Sequence, residues 1–177
     1  YTCIARLGTC LYPLDDLSLS ASGQITTTGN ISSATSAIVS AGTGIDVDGG
    51  AGTLTGGHYT NTYYYTDTVN AAAGSGTLRA ASVSAHDVTV SGDTLTTGAI
   101  TADRNLNVSG GTLTTGNLSA GSNLQVSGTT FTTGDITSGG GLSIDASGAY
   151  VPGSIALSGS SVTIQAPDGI DLVSGDA

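Results

Sequence analysis

Between residues 88 and 141 the chain writes one hydrophobic sentence three times with an 18-residue stride. Val88, Leu106, Leu124 and Leu142 fall in one column and Val90, Val108, Val126 and Ile144 in a second; Leu95, Leu113 and Phe131 form a third, and Ile100, Leu118 and Ile136 a fourth. Within each run apolar and polar residues alternate, as in Thr112, Leu113, Thr114, and a period of two marks a strand with one buried face. Between the runs stand Gly92, Gly110 and Gly128, then Gly98, Gly116 and Gly134, then Asp87, Asn105, Asn123 and Gly141. Gly, Asn and Asp tolerate a left-handed backbone. The pattern therefore predicts three short strands and three corners per repeat, with a left-handed residue recurring in the last column.

One such turn cannot bury its apolar residues by itself. Stacking the next turn about 4.8 Å above it pairs every strand in parallel and closes a continuous core. Antiparallel hairpins would not explain an 18-residue stride. The predicted fold is all-β, a parallel β-helix of about 18–20 residues per rung, and 177 residues then make roughly nine rungs.

Away from the repeats the pattern decays. Residues 1–16 do not scan and predict an irregular N-terminal segment, either a cover for the first rung or a decayed rung. The β-helix is expected over 17–177. Leu17, Leu19, Ile25, Gly29 and Ile31 stand in repeat positions; in 37–57, Ile45 and Val47 read as a first strand and Leu54 as a second. Residues 58–76 read as a tyrosine-rich irregular insertion, and Leu78 and Val83 resume the repeat. After Ile144 the rung loosens at Tyr150, Val151 and Pro152, and strand pairs continue to Ile170 and Leu172. With no closing element after them, the sequence reads as an excerpt of a longer solenoid.

Composition sharpens this picture. Lysine, glutamate, methionine and tryptophan are absent, which removes most good helix formers and argues against substantial helix. The net charge is −10 and every acidic residue is aspartate, so nucleic acid and anionic membrane surfaces are not expected partners. Arg6, Arg79 and Arg104 are too scattered for a basic patch, and no apolar run reaches transmembrane length. Cys3 and Cys10, with no other cysteine in the chain, are a candidate disulfide, which implies an oxidising compartment; two buried free thiols remain the alternative.

Three places carry candidate chemistry. Asp46 and Asp48, two apart in a strand-like run, would both face outward like the carboxylates of a polysaccharide-active enzyme. No arginine partner is evident from the sequence, so no enzyme is expected. Gly49–Gly57 offers Thr53 and Leu54 where a calcium-binding nonapeptide needs its aspartate, and His58 and His86 lack zinc spacing and read as solvated turn residues. No metal or cofactor is expected. Tyr59, Tyr63, Tyr64 and Tyr65 gather rigid amphipathic rings suited to a glycan or protein contact. Finally, Thr94, Thr96, Thr112, Thr114, Thr130 and Thr132 flank an inward Leu or Phe on three rungs. Strand geometry spaces them about 6.7 Å along the strand and about 4.8 Å between rungs, similar to the ice-binding face of β-solenoid antifreeze proteins. Threonine also ladders with itself as an ordinary exposed strand residue.

The stretch LNVSGGTLTTGNLSAGSN at 106–123, with its strand pairs and SGG and TTG corners, resembles the repeats of filamentous haemagglutinin-like proteins. These are large exoproteins of two-partner secretion, among them adhesins and contact-dependent inhibition proteins. The resemblance implies a right-handed parallel β-helix in a rod outside a Gram-negative cell. It also implies an outer-membrane transporter as partner during secretion, and contact with a host or neighbouring-cell glycan or protein through the parent protein. The NPNG-type motif of that family's secretion domain is not matched here, and no toxin domain is visible. The resemblance therefore makes this stretch a structural shaft, secreted or on the cell surface, with ice binding as the alternative reading and a polysaccharide-active enzyme behind it.

Overall fold

The computed structural model describes residues 16–57, 67–148, 150–151, 155–157 and 161–165. Every registered strand pairing among them is parallel. They form one β-solenoid of about seven turns.

The rungs follow the chain. The first holds β1 (Asp16–Ala21), β2 (Gln24–Thr27) and β3 (Ile31–Ser32); the second β4 (Ser36–Ala41), β5 (Gly44–Val47), a 3-10 turn (Asp48–Gly50) and β6 (Thr53–Thr55). The third is β7 (Thr68–Ala72) and β8 (Thr77–Ala85), and the fourth is the single bent strand β9 (Asp87–Ala102). β10 (Leu106–Thr115) and β11 (Leu118–Ala120) make the fifth, β12 (Leu124–Thr132) and β13 (Ile136–Ser138) the sixth. β14 (Gly141–Ala146), β15 (Tyr150–Val151) and β16 (Ile155–Leu157) make the seventh, and β17 (Ser161–Gln165) begins an eighth.

Each apolar column of the sequence is a vertical stack in the core. Val88, Leu106 and Leu124 lie in register, as do Leu95, Leu113 and Phe131, and Ile100, Leu118 and Ile136. All nine are at most 1 % exposed. Fully burying side chains of this size contributes about 1.5–3 kcal/mol each. Because each rung buries its residues against its neighbours, that stabilisation belongs to the stack and not to the rung.

Four expectations change. Ile45 and Val47 pair with Ile25 and Thr27 on the second face, and Leu54 pairs with Ile31 on the third. The first face of that rung is β4, whose Ala37 and Val39 stack on Leu17 and Leu19. Small inward alanines hid this strand from a reading based on large apolar residues. For the same reason β7 was concealed inside the stretch 58–76. Its Val69 and Ala71 stand under Val88 and Val90 and are fully buried, so residues 68–72 are a regular strand.

The third change concerns the Asp and Asn corners. Asp48 is the one non-glycine residue with positive φ among the described residues, so Asp87, Asn105 and Asn123 are not left-handed. They recur because their side chains bond between rungs. Asp87 Oδ1 accepts from Asn105 N at 3.0 Å, Asn123 Nδ2 donates to Asn105 Oδ1 at 3.2 Å, and Gly141 N donates to Asn123 Oδ1 at 3.1 Å. An exposed corner thereby continues the hydrogen bonding that the strands supply elsewhere.

The fourth change is the glycine column 92, 110, 128, expected between strands as a corner and found inside β9, β10 and β12, without positive φ. Its cause is close approach. A Cβ on Gly110 would stand 2.4 Å from the Gly92 carbonyl oxygen, and one on Gly128 would stand 1.8 Å from that of Gly110.

Candidate functional site

The six threonines of the candidate grid stack in two columns. Thr94, Thr112 and Thr130 are in parallel register, and so are Thr96, Thr114 and Thr132. They point away from the buried Leu95, Leu113 and Phe131. Five of the six are exposed and Thr94 is half-buried. Thr77 continues the first column one rung earlier and Arg79 interrupts the second, while on the far side Val151 follows Thr132. The uniform patch is thus two columns wide and three rungs tall, with Thr77 at one corner.

Below the grid lies a charged pair that the sequence did not disclose. Asp46 and Arg79 are register partners on adjacent rungs, in the column that carries Thr96 above them. Arg79 Nη1 is 3.7 Å from Asp46 Oδ2. The stride from Asp46 to Arg79, 46 to 79, is far from 18 residues, which is why repeat spacing could not bring them together. The guanidinium lies against Gly50, where a Cβ would be 3.4 Å from Nη2. Asp48 does not share the strand; it opens the 3-10 turn with φ of 52°. The expected outward pair of carboxylates is therefore one carboxylate with one arginine. Asp46 Oδ1 is buried without a hydrogen-bond partner.

A second charged cluster sits at the corner between the third and first faces. Arg104 Nε donates to Asp87 Oδ1 at 3.0 Å and its Nη2 to Asp87 Oδ2, a two-pronged clamp between successive rungs. Partial burial pushes the Asp87 carboxyl up, but the hydrogen bonds from Arg104 and from the Asn105 backbone, with the charges of Arg104 and His86, outweigh it and leave the pKa lowered. His86 Nδ1 lies 3.8 Å from Asp103 Oδ2, and its side chain is 12 % exposed, so this histidine is more enclosed than a solvated turn residue.

The Asp87 clamp has a pH signature. Its folded-state pKa is lower than the ordinary 3.8, so the stabilisation is present above that value and is lost as pH falls through the lower folded value. Arg104 is half exposed at 48 %, which limits such a pair to about 0.2–1 kcal/mol. Asp87→Asn should therefore melt slightly earlier than wild type at pH 7, with the gap closing on acidification below 3.8. A gap unchanged down to full protonation would show that the clamp contributes nothing.

Tyr59, Tyr63, Tyr64 and Tyr65, the candidate contact, lie outside the described residues, as do His58, Cys3 and Cys10. Among the described residues no group of three or more His, Cys, Asp or Glu side chains could hold a metal ion, and no helix is long and apolar enough to cross a membrane. No family model matches the chain, nor does any curated protein or solved structure.

Proposed function

We propose that this chain is a non-enzymatic shaft segment of a secreted or surface-exposed, adhesin-like filamentous protein, and that it holds a distal binding or effector region away from the cell. The observation that carries the reading is the unbroken registry of the fourth to sixth rungs, in which every inward column and every outward column repeats without slip. Parallel pairing along a whole rung, side-chain ladders at the corners and a uniform core give a cooperative rod, and the outward faces offer chiefly small hydroxyl and amide groups. The resemblance of the repeats to filamentous haemagglutinin-like proteins supplies the setting: an outer-membrane transporter during secretion, and a host or neighbouring-cell glycan or protein reached through the parent protein.

On this reading the regular rungs act by length and stiffness, and specific contact belongs to Tyr59, Tyr63, Tyr64 and Tyr65. Cells displaying the parent protein should adhere normally when the six grid threonines are changed to serine. Tyr63→Ala together with Tyr64→Ala should reduce adherence or glycan-array binding. Lost adherence in the threonine variant would sink the passive-shaft reading; full adherence in the tyrosine variant would remove only the contact.

A second reading, ice binding, is favoured by the outward registry of the threonine grid. It predicts thermal hysteresis that disappears when Thr112 and Thr114 are replaced by tyrosine. An inactive wild type ends it.

A further inference from the structure

The grid has an inward counterpart. Thr97, Thr115 and Thr133 each follow the buried Leu95, Leu113 or Phe131 by two positions and so turn back into the solenoid. They are 8 %, 8 % and 7 % exposed. Thr97 and Thr115 are register partners, and Thr133 follows Thr132, the partner of Thr114, into the same column. The Oγ1 atoms of all three are buried and have no hydrogen-bond partner. One such hydroxyl would be an isolated desolvation cost; three stacked at rung spacing form a polar thread.

Thr27 pairs with Val47, which follows Asp46 as Ala80 follows its partner Arg79, and Ala80 pairs with Thr97; Thr27 thus continues the column at the first rung and shows how such a hydroxyl is ordinarily satisfied. Its Oγ1 donates at 2.7 Å to the carbonyl of Gly29, two residues on. In the regular rungs the equivalent carbonyls accept from backbone, and the threonine hydroxyls do not bond to them. Asn117 O, two residues after Thr115, accepts from Ile100 N, and Asp135 O, two residues after Thr133, accepts from Leu118 N, each at 2.9 Å. Nor can the hydroxyls bond to one another, because rungs are about 4.8 Å apart and an O–H···O bond needs about 2.8 Å. One water between two hydroxyls at that spacing reaches both at about 2.8 Å, with an O···O···O angle of roughly 118°, close to tetrahedral.

We infer that the column Thr97, Thr115, Thr133 is an internal binding site for ordered water, with one water bridging each pair of successive hydroxyls. The file ends below at Ala80, the register partner of Thr97, which offers a methyl and no hydroxyl. Buried waters of this kind exchange slowly and are costly to remove. The site is independent of whether the solenoid serves as a shaft.

The test is water–protein nuclear Overhauser spectroscopy on the full chain, with Thr115→Val as the probe because valine keeps the shape and removes the central hydroxyl. Wild-type protein should show long-lived water contacts at the methyls of Thr97, Thr115 and Thr133. In the variant those at Thr97 and Thr133 should weaken or vanish, and Tm should fall by roughly 6 °C, about the effect of two lost buried bridges in a chain of this size. Absent water contacts in the wild type, or unchanged contacts at Thr97 and Thr133 in the variant, would overturn the inference. So would a rise in Tm, the result expected when valine simply relieves dry, unpartnered hydroxyls.

Discussion

Removing residues 108–125, one 18-residue repeat cut inside a strand, should leave a folded solenoid that melts within a few degrees of the intact chain. The junction then joins Asn107 to Val126, which takes the inward place of its register partner Val108, and every later column meets its equivalent one rung earlier. Removing 108–124 instead, one residue fewer, should be severe. Gln125 would land on the inward position and Val126 would turn outward, because a one-residue slip exchanges the two faces of a strand. Burying the glutamine amide and exposing the valine together cost about 4–5 kcal/mol, or a drop in Tm of roughly 10–20 °C for a chain of this length. Circular dichroism melts of the two deletions decide the matter. Equal stability would mean that corners absorb register errors without cost, and the account of the ladders would fail.

Alanine substitutions in the glycine column should form a graded series rising with rung number. On Gly92 a new Cβ meets the Ala73 Cβ at 3.0 Å; on Gly110 it meets the Gly92 carbonyl at 2.4 Å; on Gly128 it meets the Gly110 carbonyl at 1.8 Å, with a Phe131 ring carbon at 2.8 Å. A methyl side chain can shift, but a carbonyl held in the parallel ladder cannot. Gly92→Ala should therefore cost about 1 kcal/mol, and Gly128→Ala about 3 kcal/mol or more. If the three variants melted together, crowding between rungs would not be what selects glycine. The same measurement bears on the corners as a whole, since left-handed backbone would penalise all three alike.

That contrast shows what the sequence disclosed and what it concealed. The parallel fold was legible because Leu, Val and Ile recur at a fixed stride, and only stacking explains a fixed stride. The threonine grid was legible for the same reason. What repeats does not reveal why it repeats: the Asp and Asn column suggested a left-handed backbone and the column of Gly92, Gly110 and Gly128 a corner, and they answer instead to side-chain hydrogen bonds between rungs and to crowding. Elements with small inward residues were invisible, as Ala37 in β4 and Ala71 in β7 show. They fill the core without raising local hydrophobicity. The Asp46–Arg79 pair was beyond reach because the stride between rungs is irregular there. Thr97, Thr115 and Thr133 could have been found, since they follow each inward Leu or Phe by two, which the alternation of the strand places inside.

A straight, in-register stack fixes the distance between its ends, and that distance is the direct measure of it. Ser18 and Thr163 are exposed and occupy one outward column seven register steps apart, through Ile38, Asn70, Thr89, Asn107, Gln125 and Ser143. At the usual spacing this is about 34 Å. Nitroxide labels at the two positions should give, by pulsed electron–electron double resonance, a single narrow distance distribution near that value once label length is allowed for. A broad distribution, or a mean below about 20 Å, would contradict a rigid parallel β-helix at this rung spacing.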